Sequence, residues 1–373
     1  MKQEMLLDFL EEVETTESYD GYIFSIGQAI TITVLGSMCG LKSVRQIHQW
    51  AESDSARKLL KEKFAIERIP CYYWLLSLLK MVKTDSLSEC LSKWAMSYLP
   101  EDRTGLTLAL DGKTVRSTNK MKKYESPLHI ISAQLSELGM TLGSRSVNDK
   151  SNEIPAVQAL LTELDIAGCL MVADALNCQK ETAKVVVAGK ADYLLSVKGN
   201  QQTLMQEIAD YVRDDDLRTR MDQQTTVEKN RDRIERRAAF VTTDVSWISG
   251  KDEWINLSCI GAIHTTFTRN EVTTDEWHYY ISSRKLTATE LLYHARKEWS
   301  VETMHWLLDA HFGEDYFRVV NQTIQKNMNL LRKFVLSIVK RYKQNSNSKR
   351  PMSQIMFDCL LSSGNIVKVL DKS

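Results

Sequence analysis

The stretch LTLALDGKTVRS, Leu106 to Ser117, sets a chemical condition that few folds can meet. An apolar run of strand type carries a single carboxylate to its end, and glycine and two cations follow. A buried carboxylate without a partner is costly, so Asp111 is exposed at the strand end, paired, or bound to a metal. The pattern recurs in CLMVADALNCQ, where Asp174 closes a second apolar run. In open α/β sheets ligands gather beyond the C-terminal ends of the strands. Neighbouring strands would therefore set Asp111 and Asp174 side by side. Two carboxylates that close repel unless one is protonated or a cation lies between them. A hard divalent ion with oxygen ligands, Mg²⁺ first, meets that need. The alternative is two unrelated acids at exposed strand ends.

The rest of the chain gives these strands a context. From Leu6 to Leu99 apolar residues recur at three- and four-residue spacing, which predicts helices. Pro100 to Gly105 reads as a boundary. Runs of strand type follow in TLALD, LHIISAQL and MTLGSRSV. A helix from about Asn152 then leads into CLMVADA, a helix from Gln179 into DYLLSVKG, and another helix starts at Gln201. Three strands close in sequence, followed by alternating helix and strand, predict a mixed α/β sheet. That order matches the ribonuclease-H-like arrangement, although pattern alone does not separate it from other α/β folds. The charge-rich segment of about 214–275, with strands in RAAFVTT and INLSCIGAIH, reads as a strand-rich insertion. Helices resume at Thr287 and run to about Lys343 with an interruption near Gly313, and KQNSNSKRP precedes a short terminal helix. The expected division is a helical domain over 1–100, an α/β domain with that insertion over 101–345, and a linker with a short helix over 346–373.

Composition narrows the partners. Lys+Arg and Asp+Glu both number 48 in 373 residues, so no global field draws the chain to nucleic acid. Charge is segregated locally: residues 1–20 hold seven acids, and Arg332 to Arg350 hold seven basic residues with no acid. That basic run reads first as a solvated helix face. The seven cysteines are scattered without a CxxC pair, which argues against zinc fingers and a disulfide framework and places the chain in the cytoplasm. Gly21 to Leu41 is uncharged and about as long as a membrane span, but its four glycines, Gln28, serines and threonines favour a buried helix or helix pair.

A third acid lies in RKEWSVETMHWLLDAHFGED. Glu302, His305, Trp306 and Asp309 share one helical face. No HExxH order supports zinc there. At this point the chain resembles the H-repeat-associated transposases of bacterial insertion sequences, members of the DDE class. The resemblance rests on LDGKTVR, KSNEIPA, ADALNCQK, ADYLLSVKGNQ, RIERR, YYISS and WSVETMHWLLDAHFGED in co-linear order. It implies a ribonuclease-H-like catalytic domain preceded by a helical N-terminal domain. It also implies that Asp111, Asp174 and Glu302 form a catalytic triad binding Mg²⁺ or Mn²⁺, two ions, for cleavage of element ends and strand transfer into target DNA. Lys113, Arg116, Lys198, Asn200 and Arg296 are the expected DNA contacts, with Asn200 and Gln201 alternatively capping the next helix. Trp299 and Trp306 are expected to be packing residues. A homodimer on DNA, associated with the nucleoid, follows from the same resemblance.

Two departures qualify it. Where the family usually shows Arg-x-His-Trp-x-Ile-Glu-Asn, this chain has Glu298 in place of the histidine and Thr303 in place of the asparagine. Arg68 and Cys71 flank Ile69-Pro70 where glycine and serine are usual. The alternative function is therefore an inactive transposase relic that retains DNA binding, and a structure-specific nuclease is a third reading.

Overall fold

The computed structural model describes residues 9–17, 23–116, 127–147, 153–230, 233–269 and 272–373. Lys150 to Asn152 of KSNEIPA, Ser117, and Glu4, Asp8 and Asp20 of the acidic N-terminal stretch lie outside the described residues. The helices of the first hundred residues are α1 (Ile26–Met38), α2 (Val44–Ala51), α3 (Asp54–Phe64), α4 (Tyr72–Met81) and α5 (Thr84–Met96). Next come β1 (Thr107–Thr114), β2 (His129–Leu135), β3 (Met140–Val147), α6 (Glu153–Glu163), β4 (Leu170–Ala173), α7 (Lys180–Ala188), β5 (Asp192–Val197) and α8 (Gln202–Arg213). A short α9 (Asp215–Thr219) precedes β6 (Asp222–Asn230), β7 (Arg233–Thr242), β8 (Cys259–Arg269) and β9 (Val272–Ser282). The chain ends with α10 (Ala288–Phe312), α11 (Gln322–Asn345), α12 (Met352–Leu361) and α13 (Ser363–Asp371). The expected single terminal helix is thus two, because Ser362 adopts extended backbone between them.

Contacts divide the chain into two compact units. One holds Met1–Leu99, Gly112–Asn152 and Thr303–Ser373; the other holds Pro100–Asp111 and Glu153–Glu302. In the first, serines start the early helices. Ser25 and Ser43 each form a capping box with a glutamine three residues on, and the Ser53 hydroxyl accepts from the Ala56 N–H. The uncharged α1 buries every residue except Gln28, so the span-length apolar segment is a core helix. Among the described residues no helix is long and apolar enough to cross a membrane. The antiparallel pair β2–β3 supplies the strands of this unit beside the end of β1.

The second unit is built on a mixed sheet ordered β1-β4-β5-β9-β8-β7-β6. The β1–β4 and β4–β5 pairs are parallel, whereas β9 meets β5 antiparallel and the remaining strands run as a meander. Parallel strands require crossovers, which helices such as α7 provide. With the helical N-terminal stretch, this is the ribonuclease-H-like α/β fold that the resemblance implied; the element order alone gave only a mixed α/β sheet. The strand-rich segment holds β6, β7, β8 and the start of β9, where the sequence pattern marked two strands. β6 and the outer halves of β8 and β9 are rich in Thr, Gln and charged residues and lack the apolar alternation that identifies a half-buried strand.

The basic run on α11 is not a solvated face. Arg332 and Lys333 are buried, and the Lys333 ammonium donates to the Ser132 and Ser144 hydroxyls, 2.7 Å from each. Burial pushes the Lys333 amine down to about 7, against a smaller opposing effect of Glu314. The folded state therefore binds less proton than the unfolded chain between about pH 7 and the ordinary lysine range, and stability rises with pH across that window. Thermal unfolding of Lys333→Met is expected to show a smaller rise in Tm between pH 7 and 9 than the native chain. An unchanged slope would contradict the assignment.

Candidate active site

All three acids of the expected triad lie in the second unit. The parallel register pairs Leu110 of β1 with Ala173 of β4, so Asp111 and Asp174 leave adjacent strands at the same level. Neighbouring strands lie about 4.8 Å apart, which brings the two carboxylates within direct electrostatic reach. Asp174 then starts a 3-10 turn, Ala175–Asn177, and its Oδ1 accepts from the Asn177 backbone N–H at 3.3 Å and from Asn177 Nδ2 at 3.1 Å. Burial raises the Asp174 carboxyl above its ordinary range, Asn177 opposes this, and Glu153 and Asp111 push further in the direction of burial. The buried Glu153 was not singled out in the sequence. Its position at the first residue of an apolar helix was the available signal.

Glu302 is exposed on α10, one turn beyond Glu298. Glu298 is pushed up to about 7, first by burial and then by Asp174, with Lys198 opposing and Glu302 and Asp111 adding to the shift. That carboxyl senses all three acids, which places them in one electrostatic neighbourhood. Among the described residues, no three His, Cys, Asp or Glu side chains are gathered in the geometry of a metal centre. The donors nevertheless suit a hard divalent ion. They are carboxylate oxygens, and their mutual repulsion is the excess negative charge that a cation offsets.

The flanking polar residues have varied fates. Lys198 is exposed at the end of β5 and shares a cavity of about 150 Å³ with Glu298, Arg237, His278 and Trp299. Arg296 makes a bidentate pair with Glu228, with Nη2 3.1 Å from Oε2 and Nη1 bonded to Oε1. Gln201 sits at the N-cap position of α8, but its side chain makes no capping hydrogen bond. Asn200 Nδ2 donates to the Ala175 carbonyl at 2.6 Å and Gln201 Nε2 to the Cys178 carbonyl at 3.0 Å, so both brace the loop that follows Asp174. In the first unit, Lys113 is held by Asp309 and Glu314, and Arg116 lies beside Asp315 with its side chain largely exposed. The two tryptophans are not packing residues: Trp299 is 51% and Trp306 63% exposed. Trp299 faces the Arg237 guanidinium, 6.0 Å from the ring centroid.

Fold and strand-end acids define a ribonuclease-H-like domain with an acidic site suited to divalent ions. The chain belongs to the transposase DDE domain family, whose model matches residues 102–338, and the model of the DDE-associated domain matches residues 7–95. A relative named "Putative transposase YncI" from Escherichia coli O157:H7 is 26% identical over 346 residues, 91% of this chain and 88% of that protein. The "H repeat-associated putative transposase YhhI" of Escherichia coli K12 is 28% identical over 299 residues, 78% of each. Among solved structures, a piggyBac transposase synaptic complex with hairpin DNA aligns with a TM-score of 0.46 at 8% identity, covering 98% of this chain and 79% of that one.

The raised Glu298 carboxyl gives a test of the site's electrostatics. The folded state retains this proton between the ordinary glutamate range and about pH 7, so the group costs stability once pH rises through that window. Glu298→Gln is expected to stabilise the metal-free protein above pH 7, on the order of 2 kcal/mol, and to change little near pH 4. Equal effects at both pH values in thermal unfolding would contradict the placement.

Proposed function

We propose that this chain is a metal-dependent DNA transposase that cleaves the ends of its own element and joins them to target DNA. The observation that carries the reading is the β1–β4 register, which sets Asp111 beside Asp174 at the strand ends. Asp111, Asp174 and Glu302 would hold the ions, Mg²⁺ or Mn²⁺, as a pair. When bound, such ions activate an attacking water or 3′-hydroxyl and stabilise the leaving oxygen.

The chain's own residues have narrower tasks in this reading. Asp111 and Asp174 present oxygen donors from rigid strand ends, and Asn177, Asn200 and Gln201 fix the turn that aims Asp174. Lys198, exposed at the same edge, neutralises a DNA phosphate. The outward guanidinium of Arg116 offers a second phosphate contact. Lys113, Arg296 and Asn200 serve internal partners. The active species is a homodimer on DNA in the nucleoid.

A second reading is favoured by Glu298 and by the exposed Glu302: a relic that binds element ends without cutting them. Labelled duplexes carrying the DNA that flanks this gene separate the two in Mg²⁺ or Mn²⁺. The transposase reading predicts cuts at the repeat boundary that fall at least about 1,000-fold in Asp111→Ala and Asp174→Ala, with DNA binding retained. Binding without cleavage by the native chain supports the relic. Cleavage regardless of the repeats supports a general nuclease, and cleavage undiminished in either variant overturns the triad.

A further inference from the structure

The segments GKTVR and LLDAHFGED meet inside the first unit. Lys113, two residues after Asp111, places its ammonium 2.8 Å from Asp309 Oδ2 and 3.0 Å from Glu314 Oε2. The cluster is largely withdrawn from water, with the side chains of Lys113 and Glu314 13% and 3% exposed. Arg116 repeats the connection one step on: its backbone N–H donates to Asp315 Oδ1 at 3.1 Å. These acids arrive at β1 because α10 stops at Phe312 and Gly313 takes a φ of +60°, a conformation that suits glycine. The chain then turns through Glu314–Tyr316.

Glu314 is held from several sides. Burial drives its carboxyl up, but Lys113, Arg332, Lys333 and the Asn329 amide together keep it below the ordinary range. Burial likewise opposes charge on Lys113, and Glu314 and Asp309 more than reverse this. At 3.0 Å and largely out of water, the Lys113 ammonium and the Glu314 carboxylate form a buried ion pair.

Buried ion pairs of this kind add little net stability compared with apolar residues of the same shape; what they provide is a fixed registry between two segments. The segments joined here are those that carry two of the proposed metal-binding acids. Lys113 follows Asp111 by two residues on one strand, and Asp309 follows Glu302 by seven residues, two turns of the same helix face. Displacement of a reacting group by about 1 Å can cost 100-fold in rate, so such a registry has chemical consequences.

We propose that Lys113, Asp309 and Glu314 form a positioning clamp that fixes the end of β1 against α10 and sets the separation at which Asp111 and Glu302 share a divalent ion. This rests on reading those two acids as metal ligands. The three clamp residues act through the backbone and touch neither DNA nor the reacting phosphate. Lys113 is thereby moved from the DNA contacts to the supports of the metal site.

Mg²⁺ accepts little departure from octahedral coordination, so a loosened clamp shows first in the metal requirement. Lys113→Met is expected to raise the Mg²⁺ concentration for half-maximal cleavage about 10-fold and to lower the saturated rate roughly 10- to 100-fold. Mn²⁺ narrows the loss, Lys113→Arg restores part of it, and DNA affinity measured in Ca²⁺ stays unchanged. A Mn²⁺ titration followed by electron paramagnetic resonance reads the site without catalysis. Affinity should fall about 10-fold in Lys113→Met and Asp309→Asn, and binding should be lost in Asp111→Ala. If Lys113→Met does not fold, Asp309→Asn carries the same test, since its carboxylate is one-third exposed. Native metal dependence in a folded variant overturns the clamp. So does weakened DNA binding with native metal dependence, which would make Lys113 a phosphate contact. A native chain that binds Mn²⁺ through Asp111 but cuts no DNA overturns the transposase reading alone, and the clamp is then decided by the titration. A native chain with no Mn²⁺ site dependent on Asp111 overturns both.

Discussion

The parallel pairing of β1 with β4 is the constraint on which the site depends. Side chains in paired strands share a level across the ladder, so alignment of Leu110 with Ala173 determines where the next residue of each strand emerges. Sliding the register by one residue would turn one acid to the opposite face. The buried apolar residues that precede each acid hold that register: Leu108, Ala109 and Leu110 on β1, and Met171, Val172 and Ala173 on β4. The apolar runs thus keep two like charges together that would otherwise separate.

The opposing charges are distributed with the same economy. Arg237 is paired with Glu235 and Glu228, and Arg296 with Glu228; Lys113 is held by Asp309 and Glu314. Lys113 and Arg296 were expected DNA contacts on sequence grounds, yet each, like Arg237, neutralises an acid of its own protein. Lys198 differs in being exposed at the end of β5 while still lowering the Glu298 carboxyl. A chain of zero formal net charge can in this way keep a concentrated acidic site while settling most other charges internally.

Much of this was legible in the sequence because it depends on local pattern. The apolar runs ending at Asp111 and Asp174, the break at Gly313, and the burial of Ile26–Met38 all follow from periodicity and residue type. What was not legible depends on partners far away in the chain. Nothing around Lys333 indicates that Ser132 and Ser144 receive its ammonium, and nothing around Asn200 points to the Ala175 carbonyl. Trp299 and Trp306 read as core residues because tryptophan usually packs, and only the tertiary arrangement leaves them exposed. The polar strand β6 escaped notice for a related reason: it is ordered by pairing along β7 rather than by an apolar face.

The central claim is that Asp111, Asp174 and Glu302 form one divalent-cation site. The most direct measurement is anomalous diffraction from crystals of the native protein soaked in Mn²⁺. The account predicts an anomalous peak within coordination distance, about 2.0–2.5 Å, of the Asp111 and Asp174 carboxylates, with Glu302 drawn towards it. A fully occupied Mn²⁺ bound elsewhere, with no peak between the ends of β1 and β4, would contradict it.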